Sequence, residues 1–203
     1  MPFYVGDIPA EAFIIEPPET IDLDNFTDSE ARVFAPNGID TPVNSTPDPG
    51  LDAIVIDFPD DETIFSTDGI YRIRIILTSL TGYRQGMPDV PIVVQSPSSE
   101  WHTLDSIRGE WPDAEYISDV SLWGVLDIAR MQCLEFAPAL ADEAPVPSHY
   151  REAQRIQARN VWNASKVAPD GTAGQDDFVI RPFPLDWHVK AILRPKRGIG
   201  AVA

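Results

Sequence analysis

The chain offers few groups of residues whose types and spacing could do chemistry. Asp57, Asp60, Asp61 and Glu62 put four carboxylates in one short stretch, a density that suits a hard cation taking several oxygens from a loop. They lack the D-x-D-x-D-G spacing with a distant Glu, so they read as a solvated loop. Asp176 and Asp177 could share acid/base work, but Gly171 and Gly174 leave them on a loop without rigid support. Cys133 with His149 could form a thiolate pair. Cys133, however, falls on an apolar helical stretch, where a buried and inert thiol is expected. The sequence contains no G-x-S-x-G, G-x-x-x-x-G-K-[ST] or G-x-G-x-x-G. No catalytic residue, metal site or cofactor is expected.

What remains is the chemistry of recognition. Arg151, Arg155 and Arg159 recur every four residues and share one face of a helix. They could meet phosphate or an acidic partner, or pair with Glu152 and solvent. Trp101, Trp111, Trp123, Trp162 and Trp187 all fall in the second half of the chain. Two or three of them suffice for a small core; Trp and Arg beyond that are what assembly interfaces use as anchors. Near the end, Arg181, Lys190, Arg194, Lys196 and Arg197 face a single anion, Asp186. A basic end on an acidic protein suits docking to an acidic surface, to phosphate or to another copy's acidic half, or it serves solubility.

Composition narrows the classes further. The 203 residues carry a formal net charge of −17 and are 43% hydrophobic, enough for a packed core. Residues 1–97 hold 17 acidic and 4 basic side chains, a net of −13, and the remainder holds a net of −4. Such a first half repels nucleic acid. One cysteine and three scattered histidines exclude an intramolecular disulfide and a Cys- or His-rich zinc site. Apolar runs are too short for a membrane span, and no basic n-region of a secretory signal is visible. A soluble protein of a reducing cytoplasm is expected.

Twenty prolines against twelve glycines suit short strands and linkers better than one long helical bundle. The patterning predicts an arm over 1–11 and an antiparallel, immunoglobulin-like β-sandwich over 12–97. Its strands fall at 13–15, 31–34, 53–58, 63–65, 70–75 and 90–95, while the proline-bearing 41–50 reads as loop. After the polar linker at 96–99 the period becomes helical. Helices are expected over 103–111, over 119–137 behind an N-capping Ser118, over 149–167 behind Ser148, and over 185–193 with Pro184 in the first turn. These form a helical domain over 98–193, followed by an extended tail over 194–203. The fold class is therefore α+β, multidomain. The 119–137 helix is apolar on more than one side, so Leu122 and Trp123, with the Arg151, Arg155 and Arg159 row, are expected to meet neighbouring subunits.

The paired helices, the Pro-rich loop between them, and the ending Phe178-Val179-Ile180-Arg181-Pro182-Phe183-Pro184-Leu185-Asp186-Trp187 through Leu193-Arg194-Pro195-Lys196-Arg197 resemble the head-to-tail adaptor (connector) proteins of long-tailed bacteriophages. The likeness covers about half the chain. The first half resembles the immunoglobulin-like modules appended to phage structural proteins, on strand number and on Asp68-Gly69-Ile70-Tyr71-Arg72-Ile73. The resemblance implies a non-enzymatic virion protein, made in the host bacterial cytoplasm and placed in the neck between capsid and tail. It implies a homo-oligomeric ring, of twelve copies, between the portal protein and the stopper or tail-completion protein. Viral DNA would pass through that ring without sequence readout. It implies portal contact by Arg181, Phe183, Leu185, Trp187, Arg194, Lys196 and Arg197, and no membrane. The rival reading is a β-sandwich that binds carbohydrate or a host or capsid surface and is multimerised by its helices.

Overall fold

A computed structural model describes residues 3–59, 64–96, 100–141, 144–166 and 184–195. The protein is α+β, with eight strands in one mixed, curled sheet and four α-helices among the described residues. Two compact units make up the chain, residues 1–96 and 97–203.

The first unit holds the strands β1 (Phe3–Tyr4), β2 (Phe13–Ile15), β3 (Asp28–Phe34), β4 (Asp40–Asp48), β5 (Ala53–Asp57), β6 (Gly69–Thr78), β7 (Arg84–Gly86) and β8 (Val90–Gln95). Their order is β1-β8-β6-β3-β4-β5-β2, with β7 paired to β6. The alternation of β6 works as its sequence implies. Tyr71, Ile73, Ile75 and Leu77 are fully buried, while Arg72 and Arg74 point to solvent. Arg74 forms a two-pronged pair with Asp89 at 3.1 Å, which holds the Asp89 carboxyl below its ordinary range. The sheet curls until its two ends meet. Phe3 of β1 and Phe13 of β2 lie 6.2 Å apart between ring centroids, in one aromatic cluster with Phe58, Phe65 and Tyr71.

Three features depart from the sequence expectation. The 1–11 segment is not wholly irregular, because Phe3–Tyr4 pairs in parallel with β8. The 41–50 stretch is not loop. It contributes β4 despite Pro42 and Pro47, because residues 40–43 pair only with β3 and residues 44–48 only with β5. Each half thus behaves as an edge on one side, where a proline without an N–H is tolerated. Ile64–Phe65 are buried but lie in a turn rather than a strand.

The second unit holds α1 (Leu104–Glu110), α2 (Asp119–Phe136), α3 (Ser148–Ser165) and α4 (Trp187–Leu193), with a 3₁₀ turn at Pro112–Tyr116. Thr103 and Ser106 close a reciprocal capping box on α1. Ser118 caps α2 through the Ser121 amide, and Asp186 caps α4 through the Val189 amide. At α3 the expected cap is displaced. Ser148 is the first helical residue, and Pro147 occupies the capping position with no side chain able to accept. Cys133, Ala137, Tyr150, Ala153, Val189 and Leu193 form a core joining α2, α3 and α4, with Trp101 against them. Burial pushes the Cys133 thiol up to about 12, so it is an inert packing group.

Candidate partner-binding surface

Helix α2 buries one stripe, Leu122, Val125, Leu126, Ala129 and Cys133. Those positions follow a helical repeat of three and four. The opposite face keeps its apolar character in solvent: Met131 is 61% and Leu134 47% exposed, with Val120, Trp123 and Ile128 half-buried. Leu122, expected at a subunit interface, lies fully inside its own unit. It is therefore unavailable to a neighbour, and the uncovered face starts one position further on, at Trp123.

The cations divide by partner. Arg155 is held by Glu152, at 2.9 Å through Nε, and its guanidinium is raised further by that carboxylate. Arg159 is exposed and stacks over Trp111, 6.0 Å from the ring centroid. The Nε of Arg151 is buried and makes no hydrogen bond among the described residues. The row that shares one helix face in the sequence therefore splits three ways.

At α4 the cations rest on an aromatic ring. Lys190 and Arg194 both stack on Phe136 of α2, at 5.6 and 4.5 Å from its centroid. Cation–π contact fixes the stems while leaving the charged heads accessible. Trp187 stands 80% exposed on the same short helix, and Leu185 packs half-buried against the core. Arg181, Phe183, Lys196 and Arg197 lie outside the described residues, as do Asp60, Asp61, Glu62, Asp176 and Asp177. Of the tryptophans, Trp101 and Trp111 are buried, Trp123 and Trp162 are half-buried, and Trp187 is exposed.

The sequence reading passed over the glutamines of α3. Gln154 and Gln157 are almost completely buried. Gln157 donates to Gln132 of α2 at 2.6 Å. Asn160 donates to Gln157 at 3.4 Å and to the capping carboxylate Asp186 at 3.2 Å. This polar seam ties α3 to both of its neighbours. Its signal was present as the spacing 154, 157, 160, which alternates three-residue steps along one face.

No protein-family model matches the chain, and no curated protein matches it. No described helix is long and apolar enough to cross a membrane.

Proposed function

We propose that this protein is a non-enzymatic structural component of a tailed-phage virion: a head-to-tail adaptor whose helical unit assembles into a ring between portal and stopper or tail proteins. The observation that carries this reading is the uncovered apolar face of α2 around Met131 and Leu134, next to the cationic, Trp187-bearing α4. A face of that kind needs a partner. A repeated head-to-tail contact between identical copies closes into a ring and supplies it. Arg194 and Trp187, with Arg181, Phe183, Lys196 and Arg197, would meet the portal, and Leu185 would support them from the core side. The acidic remainder suits a DNA conduit, since like charge keeps a duplex from adhering to the wall.

The first unit is read as an immunoglobulin-like sandwich. Support comes from its pairings: β6 lies between β3 and β8, β2 pairs with β5, and β1 runs parallel to β8. Tyr71 adds to this. Its buried hydroxyl donates to Thr67 O at 3.0 Å and accepts from Thr67 N at 3.2 Å. A tyrosine bonded to backbone a few residues upstream is a mark of such sandwiches.

The test is size by light scattering and negative-stain imaging of the purified chain, alone and with portal protein. A ring with a central hole that binds portal is the expected result. A monomer indifferent to portal would overturn the reading. A multimer that ignores portal but binds carbohydrate would favour the rival, a multimerised binding module.

A further inference from the structure

Helix α3 and the residue that follows it run against the charge of the chain. Residues 148–166 hold Arg151, Arg155, Arg159 and Lys166 against one acid, Glu152, a net of +3 in a protein of net −17. Arg155, Arg159, Trp162 and Lys166 follow one another at steps of four, three and four, which puts them along one side of the helix. The buried Ala153, Gln154, Gln157, Ala158 and Val161 take the opposite side. Arg155 is answered by Glu152. The other two cations are exposed and rest on indoles: Arg159 lies over Trp111, and Lys166 Nζ lies 5.0 Å from the Trp162 ring centroid. Such stacking holds a side chain in place and leaves its charge within reach of a partner.

The outer face of α2 is built as the counterpart. Trp123, Asp127, Met131 and Glu135 recur every four residues, so one row alternates apolar and acidic groups, beside the exposed Leu134. Residues 119–136 carry three acids and one base, a net of −2. Asp119 is occupied by Arg108 at 2.7 Å, and Arg130 stands 3.8 Å from Asp127 at the edge of the row. Glu135 is exposed. At about 1.5 Å per residue, Asp127 and Glu135 stand about 12 Å apart along their helix, and Arg159 and Lys166 about 10 Å apart along theirs. Met131 falls between the acids as Trp162 falls between the cations. The inner faces of α2 and α3 are joined by Gln154 on Leu126 O and by Gln157 on Gln132, so both rows face away from the seam. They cannot meet within one chain. Each can meet its counterpart on a neighbouring copy, and a contact between two unlike faces repeats from copy to copy.

We propose, on the reading of α2 as a subunit contact, that its counter-surface is α3: Asp127, Met131 and Glu135 of one copy dock on Arg159, Trp162 and Lys166 of the next. Apolar contact of Met131 and Leu134 with Trp162 supplies the attraction, and the opposite charges fix register and direction. The test is charge exchange in the full chain, read by light scattering. Asp127→Lys with Glu135→Lys leaves both rows cationic. Arg159→Glu with Lys166→Glu leaves both acidic. Each double variant should keep the parent's circular dichroism spectrum and associate about a hundredfold or more weakly, since like charges then face each other. Mixed in equal amounts, the two should regain the parent's size, because every contact between unlike variants again joins opposite charges. A parent that stays monomeric at its solubility limit, a double variant that associates like the parent, or a mixture that stays dissociated would each overturn the proposal. The last is also the result expected if a different protein covers the α2 face. Portal binding separates this contact from the adaptor reading. A mixture that reassembles but ignores portal keeps the contact and removes the adaptor. A portal-binding ring that either double variant still forms keeps the adaptor and removes the contact.

Discussion

The side chain of Gln154 holds His102 in place: Oε1 accepts the buried His102 amide at 3.0 Å, while Nε2 donates to Leu126 O of α2 at 3.1 Å. One amide from α3 thus answers a donor in the segment entering α1 and an acceptor in α2. Replacing it with a group of similar size that cannot hydrogen-bond strands both. Gln154→Leu should therefore destabilise the protein by roughly 2–4 kcal/mol, the cost of leaving buried polar atoms unanswered. Urea denaturation monitored by tryptophan fluorescence measures this. A loss under about 0.5 kcal/mol, the ordinary range for surface changes, would mean that the bridge is not maintained in solution.

His102 should make stability depend on pH. Burial holds its imidazole below the ordinary value of 6.5, and Arg151 and Arg155 act in the same direction, opposed by Glu110. The unfolded chain consequently takes up a proton before the folded one does. Stability is fully present above about pH 7.5 and falls as pH drops through the unfolded value of about 6.5 towards the folded one. Denaturation midpoints measured between pH 8 and pH 5 should decline, and His102→Asn should flatten that slope. An identical slope in the variant would assign the decline to other groups.

Gly69 sits where no other residue fits. Its φ is +141°, and a Cβ there would lie 2.6 Å from Pro36 Cγ. Pro36 has a rigid ring and cannot swing away. Gly69→Ala combines backbone strain of about 1–3 kcal/mol with overpacking of about the same size. Gly82 also has a positive φ, +83°, but open space around it, so Gly82→Ala should cost only about 1–2 kcal/mol. A thermal melt of the two variants should show the larger drop for Gly69→Ala. Equal drops would remove the contact with Pro36 as the cause.

These residues show what was legible before the structure was. β6 and α2 were readable because their buried positions repeat with the period of a strand or helix, and Ser118 and the boundary region at 96–99 carried local chemical signals. β4 was not readable, because its prolines are compatible with pairing only when each half of the strand has a different single neighbour, a long-range fact. β1 is two residues long and owes its existence to β8, more than 80 residues away. At the candidate surface, the sequence singled out Arg194 and Trp187, which are exposed. It also singled out Leu122, which is not, because a wide apolar helix face does not itself say which edge turns inward. Gln154 and Gln157 went unread because glutamine is usually a surface residue, and only burial reveals their role.

The two faces of α2 should separate folding from assembly. Met131 and Leu134 are exposed in the single chain, so Met131→Gln with Leu134→Gln removes no intrachain core contact and should change stability by no more than about 0.5 kcal/mol. Leu122 is fully buried, so Leu122→Ala should cost about 2–5 kcal/mol through lost burial and the cavity left behind. If α2 meets a sister copy through its outer face, the double variant should be as stable as the parent under conditions where both are monomeric, yet should fail to form the large species seen by light scattering. Leu122→Ala should show the reverse pattern, a lowered melting temperature with assembly retained below it. Undiminished assembly in the double variant would move the subunit contact elsewhere, with Arg159 and the Trp162 side of α3 the next surface to substitute.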